Sequence, residues 1–163
     1  MKHTIRTVSG ADADAASCLV QRSFLELAAG DWEPGARETF LAESSPTALV
    51  KALQAPAFAA GAFSDQSMVG FILMRRPSVL DMLFVHRDAL RRGIARQLWE
   101  EARMVIEASF PAVKTVELNA TPFSMPFYRA AGFAPISAEF SHGGCRATRM
   151  ACWLPARSLG AVL

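Results

Sequence analysis

Apolar and polar positions alternate along this chain in two rhythms, helical at first and strand-like in the middle. From Ala11 to Ala29, Leu19, Val20, Phe24, Leu27 and Ala28 fall on one stripe, with Asp12 and Asp14 in the first turn, where the positive end of a helix favours them. Gly30 predicts the stop of that helix. A second helical piece starts near Pro34 in DWEPGARETFLAES, and Ser45-Pro46 supplies the cap and first position of a third. Residues 11–55 therefore read as a helical arm, preceded by a short strand over His3–Val8 (HTIRTV).

The rhythm then changes. AFAAGAF (57–63), MVGFILM (68–74) and SVLDMLFV (78–85) are apolar runs separated by short polar breaks, the pattern of an antiparallel meander. Ile94, Leu98, Ala102, Val105 and Ile106 return to helical spacing, with Arg96, Gln97, Glu100, Glu101, Arg103 and Glu107 opposite. KTVELN (114–119) predicts a strand, and the helix before it makes that strand parallel to the one ending at Val85. Thr121-Pro122 opens a further helix that Gly132 closes. FAPIS and CRATRMACWL then read as a pair of strands joined across SHGG. No repeat or linker divides the chain, so 1–163 is expected to be one domain: the arm at 11–55, a core at 68–133 and a hairpin at 133–155. The fold class is α/β, of the α+β type.

Composition sharpens this picture by exclusion. Apolar residues make up 52% of the 163 and charged residues 20%, a globular balance. A net charge of +2 is too small to argue for nucleic acid, and the arginines between Arg87 and Arg103 are interleaved with acids on an amphipathic helix. Cys18, Cys145 and Cys152 have no metal-ligand spacing and read as reduced thiols, so a cytoplasmic protein without a metal is expected. MKHTIRTVSG lacks an apolar signal region, and no run approaches the roughly 18 apolar residues of a membrane span.

Candidate chemistry centres on LFVHRDALRRGIARQLW (83–99). A buried strand passes through a short charged loop and a glycine into a helix, an arrangement that points successive backbone N–H groups at an anion. Arg91, Arg92 and Arg96 add positive charge there, suited to a pyrophosphate. A bare turn glycine is the alternative. GxxxxGK[ST] and GxGxxG are both absent, which excludes a nucleotide P-loop and a Rossmann site.

Leu90-Arg91-Arg92-Gly93-Ile94-Ala95 resembles the acetyl-CoA-binding motif of the GNAT superfamily of N-acetyltransferases, Gln/Arg-x-x-Gly-x-Gly/Ala after an apolar strand, with Leu90 at the position of the family's Gln or Arg. VELNATPFSMPFYRAAGF (116–133) resembles the family's next strand and helix, ending in Tyr128-x-x-x-Gly132-Phe133. The resemblance implies a mixed sheet of about six or seven strands, antiparallel in its N-terminal part, with a splayed central parallel pair and about four helices. It implies acetyl-CoA as cosubstrate. Backbone groups of Leu83, Phe84 and Val85 would hold the pantetheine, amides from Arg91 to Arg96 the pyrophosphate, and Asn119 and Tyr128 would contact the cofactor. An amide near the thioester would stabilise the developing oxyanion.

By the same resemblance Tyr128, the one tyrosine in the chain, stands where many members place the general acid for the leaving thiolate. Its alternative is an aromatic packed on Phe123 and Phe127. Asp81 is the first candidate for a base that deprotonates the amine, with Glu117 and His142 behind it. Their alternatives are an arginine partner for Asp81, a solvent-facing Glu117 and a turn role for His142. Acceptor specificity is expected from Phe24, Glu26, Asp31, Trp32, Glu33 and the His142-Gly143-Gly144 loop. The Asp31-Trp32-Glu33 cluster either attracts a cationic amine beside an aromatic face or is a solvated loop anchored by one tryptophan.

The expected activity is direct acetyl transfer to a primary amine, of a small molecule or a peptide, in a ternary complex without an acetyl-cysteine. A non-catalytic acyl-CoA-binding sensor of the same fold is the alternative. No nucleic acid or membrane partner is expected. The apolar C-terminal residues Leu159, Ala161, Val162 and Leu163 are expected to dock either on a partner subunit, as in a homodimer, or on their own domain.

Overall fold

A computed structural model describes residues 2–155. The arm begins with β1 (Thr4–Thr7), followed by α1 (Ala13–Leu27), α2 (Pro34–Glu43) and α3 (Pro46–Ala52). Pro34 and Pro46 both occupy first helical positions, and the Ser45 hydroxyl caps α3 by accepting from the Ala48 N–H at 3.2 Å. β2 (Phe58–Ser64), β3 (Ser67–Met74) and β4 (Met82–Val85) lead to α4 (Ile94–Ser109), β5 (Thr115–Ala120) and α5 (Met125–Ala130). β6 (Ala134–Pro135), β7 (Phe140–His142) and β8 (Cys145–Trp153) complete the chain.

The strands form two sheets. The first is wholly antiparallel in the order β1-β2-β3-β4, and the second runs β5-β8-β6 with β7 paired to β8. Burial explains why the meander reads as unbroken apolar runs. β3 is covered on both faces: Ile72 and Met74 join the core beneath α4, and Phe71 and Leu73 join the one beneath α1 and α3. α4 contributes Ile94, Leu98, Trp99, Ala102 and Ile106 to the first core, which continues into the second sheet through Val116, Leu118 and Met150. No helix among the described residues is long and apolar enough to cross a membrane.

The fold class stands as read from the sequence, with eight strands and five α-helices among the described residues. Two local expectations are corrected. The run 78–85 is not one strand. Ser78–Leu80 turns to β5, and only Met82–Val85 pairs with β3, because the same eight residues serve two partners in succession. The final hairpin also differs: SHGG joins β7 to β8, while β6 pairs separately with Ala151 and Met150 of β8. The C-terminal segment on which a homodimer might rest lies outside the described residues.

Candidate active site

The split between the sheets originates at one residue pair. Leu80 donates its N–H to Glu117 O at 3.0 Å, and Glu117 donates to Ser78 O at 2.9 Å, so Val79 and Glu117 form a parallel bridge. Past this point β4 follows β3 and β5 follows β8, with no ladder between Met82–Val85 and Leu118–Ala120. The parting is fixed by Asp81. Its N–H donates to Leu73 O at 3.0 Å, and its carboxylate accepts from the Arg75 N–H at 2.7 Å, with Arg75 Nε 3.8 Å away. This chelate holds the chain on β3 as it leaves β5.

The free edge of β4 faces the gap. His86 pairs with Val69 through a 2.8 Å backbone bond, and ladder alternation makes Phe84 the next hydrogen-bonded residue on β3. The polar groups of Leu83 and Val85 therefore point away from β3. Val85 O accepts from the buried Ser23 hydroxyl at 3.3 Å, which ties α1 to the gap.

The loop after β4 ends in a helix start that no side chain caps. His86 Nδ1 accepts from the Asp88 N–H at 3.2 Å and caps the turn over Arg87–Ala89. Arg91 and Gly93 both take left-handed conformations, φ 61° and 79°. The first α-helical bond of α4 runs from the Gln97 N–H to Gly93 O at 2.9 Å. The N–H groups of Ile94, Ala95 and Arg96 consequently have no partner, no side chain caps them, and no acid stands in the first turn. A Cβ on Gly93 would meet nothing within 4 Å. Arg91, Arg92 and Arg96 are exposed around this opening and form no ion pair among the described residues. Unpaired amides, free space and surplus positive charge fit a pyrophosphate, and the open edge of β4 fits the amide-bearing arm of a CoA thioester.

Tyr128 sits on α5 with its ring packed on Phe127 and Phe133, centroids 5.2 and 5.5 Å apart. Burial pushes its phenol above the ordinary tyrosine range. The hydroxyl makes no hydrogen bond to a described residue and is not among the fully buried polar atoms. A protonated phenol with a free donor is thereby held beside the core that links α4, α5 and β5.

The other expected residues divide. Asp81 is engaged by Arg75, and Glu117 by the Arg149 guanidinium across β5–β8, so both strand carboxylates already have cationic partners. That geometry favours the structural alternative for Asp81 over a base. Asn119 is exposed on β5, opposite Arg149 and on the face away from Val116 and Leu118. Phe24 is 1% exposed, which corrects its assignment to a substrate-contacting surface: it backs Trp32 and Phe40, with centroids 4.9 and 4.3 Å away. Trp32 is half-buried. Glu26 is paired with Arg22 at 2.9 Å. His142 is exposed at the end of β7, where the β7–β8 turn meets the start of α2: Glu33 donates its N–H to Gly144 O at 2.9 Å. Burial and the nearby Asp31 charge push the Cys145 thiol up.

Sequence reasoning missed Ser23, Arg75, His86 and Phe40. For His86 the signal was present, a short polar acceptor two residues before Asp88 at a strand end. No local signal tied Ser23 to Val85, 62 residues apart. No group of three or more His, Cys, Asp or Glu side chains among the described residues is arranged to hold a metal ion.

A two-sheet α+β fold split beside a helix start with unpartnered amides is the architecture of a GNAT acetyltransferase. A family model described as an acetyltransferase (GNAT) domain matches residues 21–154, and the chain belongs to that family. Solved structures agree on the fold. PaiA N-acetyltransferase from Thermoplasma acidophilum, in complex with coenzyme A, superposes with a TM-score of 0.78 at 19% identity, covering 94% of this chain and 99% of that one. A GCN5-related N-acetyltransferase from Rhodopseudomonas palustris gives 0.80 at 20% identity, covering 94% and 97%. A ribosomal-protein alanine N-acetyltransferase from Escherichia coli gives 0.66 at 18% identity, covering 99% and 100%. No protein of curated function matches by sequence.

Proposed function

We propose that the protein is an acetyl-CoA-dependent N-acetyltransferase that passes the acetyl group directly to a primary amine in a ternary complex. The observation that carries this reading is the pairing of the β4–β5 gap with the unpartnered amides of Ile94, Ala95 and Arg96 at its mouth. When bound, acetyl-CoA supplies the acetyl group as a thioester. The amides of α4, with Arg91, Arg92 and Arg96, hold the pyrophosphate, and the backbone of Leu83 and Val85 bonds the pantetheine along the free edge of β4.

Tyr128 donates the proton that the departing thiolate needs, a role supported by a hydroxyl that no described residue engages; burial raises the phenol and so works against donation. Asp81 and Glu117 serve the architecture of the gap through their arginine partners. The amine gives its proton to water, a step that needs no side-chain base. Both substrates must be present together, since transfer without an acetyl-cysteine requires the amine to reach the thioester carbon itself.

Calorimetric titration with acetyl-CoA, CoA and ATP tests the reading. Saturable binding of both CoA species with much weaker ATP, followed by amine-dependent release of free thiol, is the expected result. Folded protein that binds none of them refutes it.

A further inference from the structure

An aromatic surface runs from the acceptor-side loop to the strand that borders the gap. Trp32 packs on Phe40 with centroids 5.6 Å apart, and Phe40 on Phe84 at 5.8 Å. All three rings are half-buried, while Phe24, fully buried behind them, holds Trp32 edge-on and Phe40 tilted. Phe84 belongs to β4 and lies between Leu83 and Val85, the residues whose backbone groups face the gap. The wall thus ends one residue from the place where the acetyl group would be delivered.

The rim of this wall is fixed and acidic. Glu33 is latched to the β7–β8 turn by its N–H, and a Cβ on Gly144 would lie 2.8 Å from Glu33 Oε2 and 2.9 Å from Glu33 Cβ. Glycine is therefore what lets the two loops close on one another. Arg22, Arg146 and Arg149 are paired with Glu26, Glu139 and Glu117, whereas Arg37 of α2 donates to Trp32 O at 2.8 Å and has no carboxylate partner among the described residues. Asp31 and Glu33, both exposed, make no ion pair among the described residues. Against the single positive charge of Arg37, residues 31–38 carry Asp31, Glu33 and Glu38, and three acids against one arginine leave a net charge of −2 that attracts a cation.

Resting on the transferase reading above, we infer that the acceptor is a protonated primary amine carried on an aryl or bulky apolar body. Asp31 and Glu33 steer the ammonium in. The apolar body lies against Trp32, Phe40 and Phe84, and the amine, once deprotonated, attacks the thioester carbon. The new C–N bond forms as the C–S bond breaks, the attacking nitrogen releases its second proton to water, the thiolate takes a proton from Tyr128, and a proton returned by water restores the phenol. Polyhydroxylated amines and polycations are disfavoured: their hydroxyls or extra ammonium groups would lose water against aromatic carbon without gaining partners.

Steady-state kinetics on the whole chain tests this, with acetyl-CoA saturating and 2-phenylethylamine, glucosamine and spermidine as acceptors. The expected kcat/KM for 2-phenylethylamine exceeds that of each of the others by about tenfold or more, the scale of discrimination an apolar pocket provides. A smaller preference, or none, overturns the inference, as does saturable acetyl-CoA binding with no turnover of any of the three. Trp32→Ser is expected to raise KM for 2-phenylethylamine by about tenfold with the acetyl-CoA Kd unchanged, and Trp32→Phe to restore most of the loss. An unaltered KM in a folded Trp32→Ser protein also overturns it. Failure to bind acetyl-CoA would be a separate result, removing the transferase reading itself.

Discussion

Gly70 of β3 and Ile94 of α4 meet so closely that a Cβ on Gly70 would lie 2.7 Å from Ile94 Cγ2, and 3.1 Å from Leu98 Cδ1. Ile94 is the first residue of the helix whose unpartnered amides face the anion opening, and it is 1% exposed. The height of the first turn of α4 above the sheet is therefore set by a side chain that β3 omits. Its neighbours in the strand, Val69 and Phe71, keep full side chains that are also buried.

Gly70→Ala should push the first turn of α4 away from β3. The expected cost is about 1–3 kcal/mol, typical of overpacking a filled core. Acetyl-CoA affinity should fall as well, because the displaced residue carries one of the anion-facing amides. Urea denaturation and calorimetric titration of the same variant check both effects, and loss of stability with unchanged affinity would show that the turn does not move.

Gly93→Ala separates backbone strain from packing. Nothing lies within 4 Å of a Cβ at this position, so the penalty arises from φ of 79° alone and should be about 1–2 kcal/mol. Gly93→Asn should cost less, since asparagine tolerates the left-handed region. Chemical denaturation of the two variants side by side measures the difference. Equal losses would place the requirement in the surroundings and not in the dihedral angle.

Periodicity makes most of this fold legible in the sequence. α4 announces itself by Leu98, Ala102 and Ile106 on one face, and β3 by an unbroken apolar run that follows from burial on both faces. Gly93 and its flanking arginines are legible because the strand–glycine–helix signal is local in sequence. Asp81 and Phe24 illustrate the opposite case. The role of Asp81 depends on Arg75 across a strand reversal, and that of Phe24 on Trp32 in the following loop and Phe40 of α2, so spacing alone could not decide either. The split of residues 78–85 between two partners was hidden for the same reason: the apolar pattern continues while the hydrogen-bond partner changes.

Asp12 links the first strand to the first helix. Its carboxylate accepts from Arg6 at 2.9 and 3.2 Å and from the Ser9 N–H at 3.0 Å, and the Arg6 hydrogen bonds are the main cause that holds it below the usual carboxylate range. The ionised form is thus favoured by folding. Its contribution is present above the ordinary aspartate value and is lost as pH falls through the lower folded value. Asp12→Ala should cost about 1 kcal/mol near neutral pH, the scale of a lost cap, and nothing once the carboxyl is protonated in both states. Denaturation midpoints of wild type and variant measured from neutral to strongly acid pH should converge. A constant gap across that range would assign the effect to packing.

Tyr128→Phe offers the sharpest test of the chemistry, because the ring can remain while the donor is removed. Packing against Phe127 and Phe133 should survive, and the hydroxyl forms no hydrogen bond to a described residue, so stability at neutral pH should change by less than about 0.5 kcal/mol. The rate of acetyl transfer should fall by about 10²-fold or more, the usual contribution of a positioned general acid, with acetyl-CoA binding retained. The pH dependence carries a sign of its own. Burial raises the phenol in the folded state, so the unfolded chain ionises first as pH climbs past about 10. Stability in the wild type should therefore decline above that point and up to the folded value, while Tyr128→Phe lacks this loss. Transfer rates and denaturation midpoints across alkaline pH, compared between the two proteins, measure the acid role and the burial separately. Full activity in Tyr128→Phe would remove the acid role and leave the tyrosine as core.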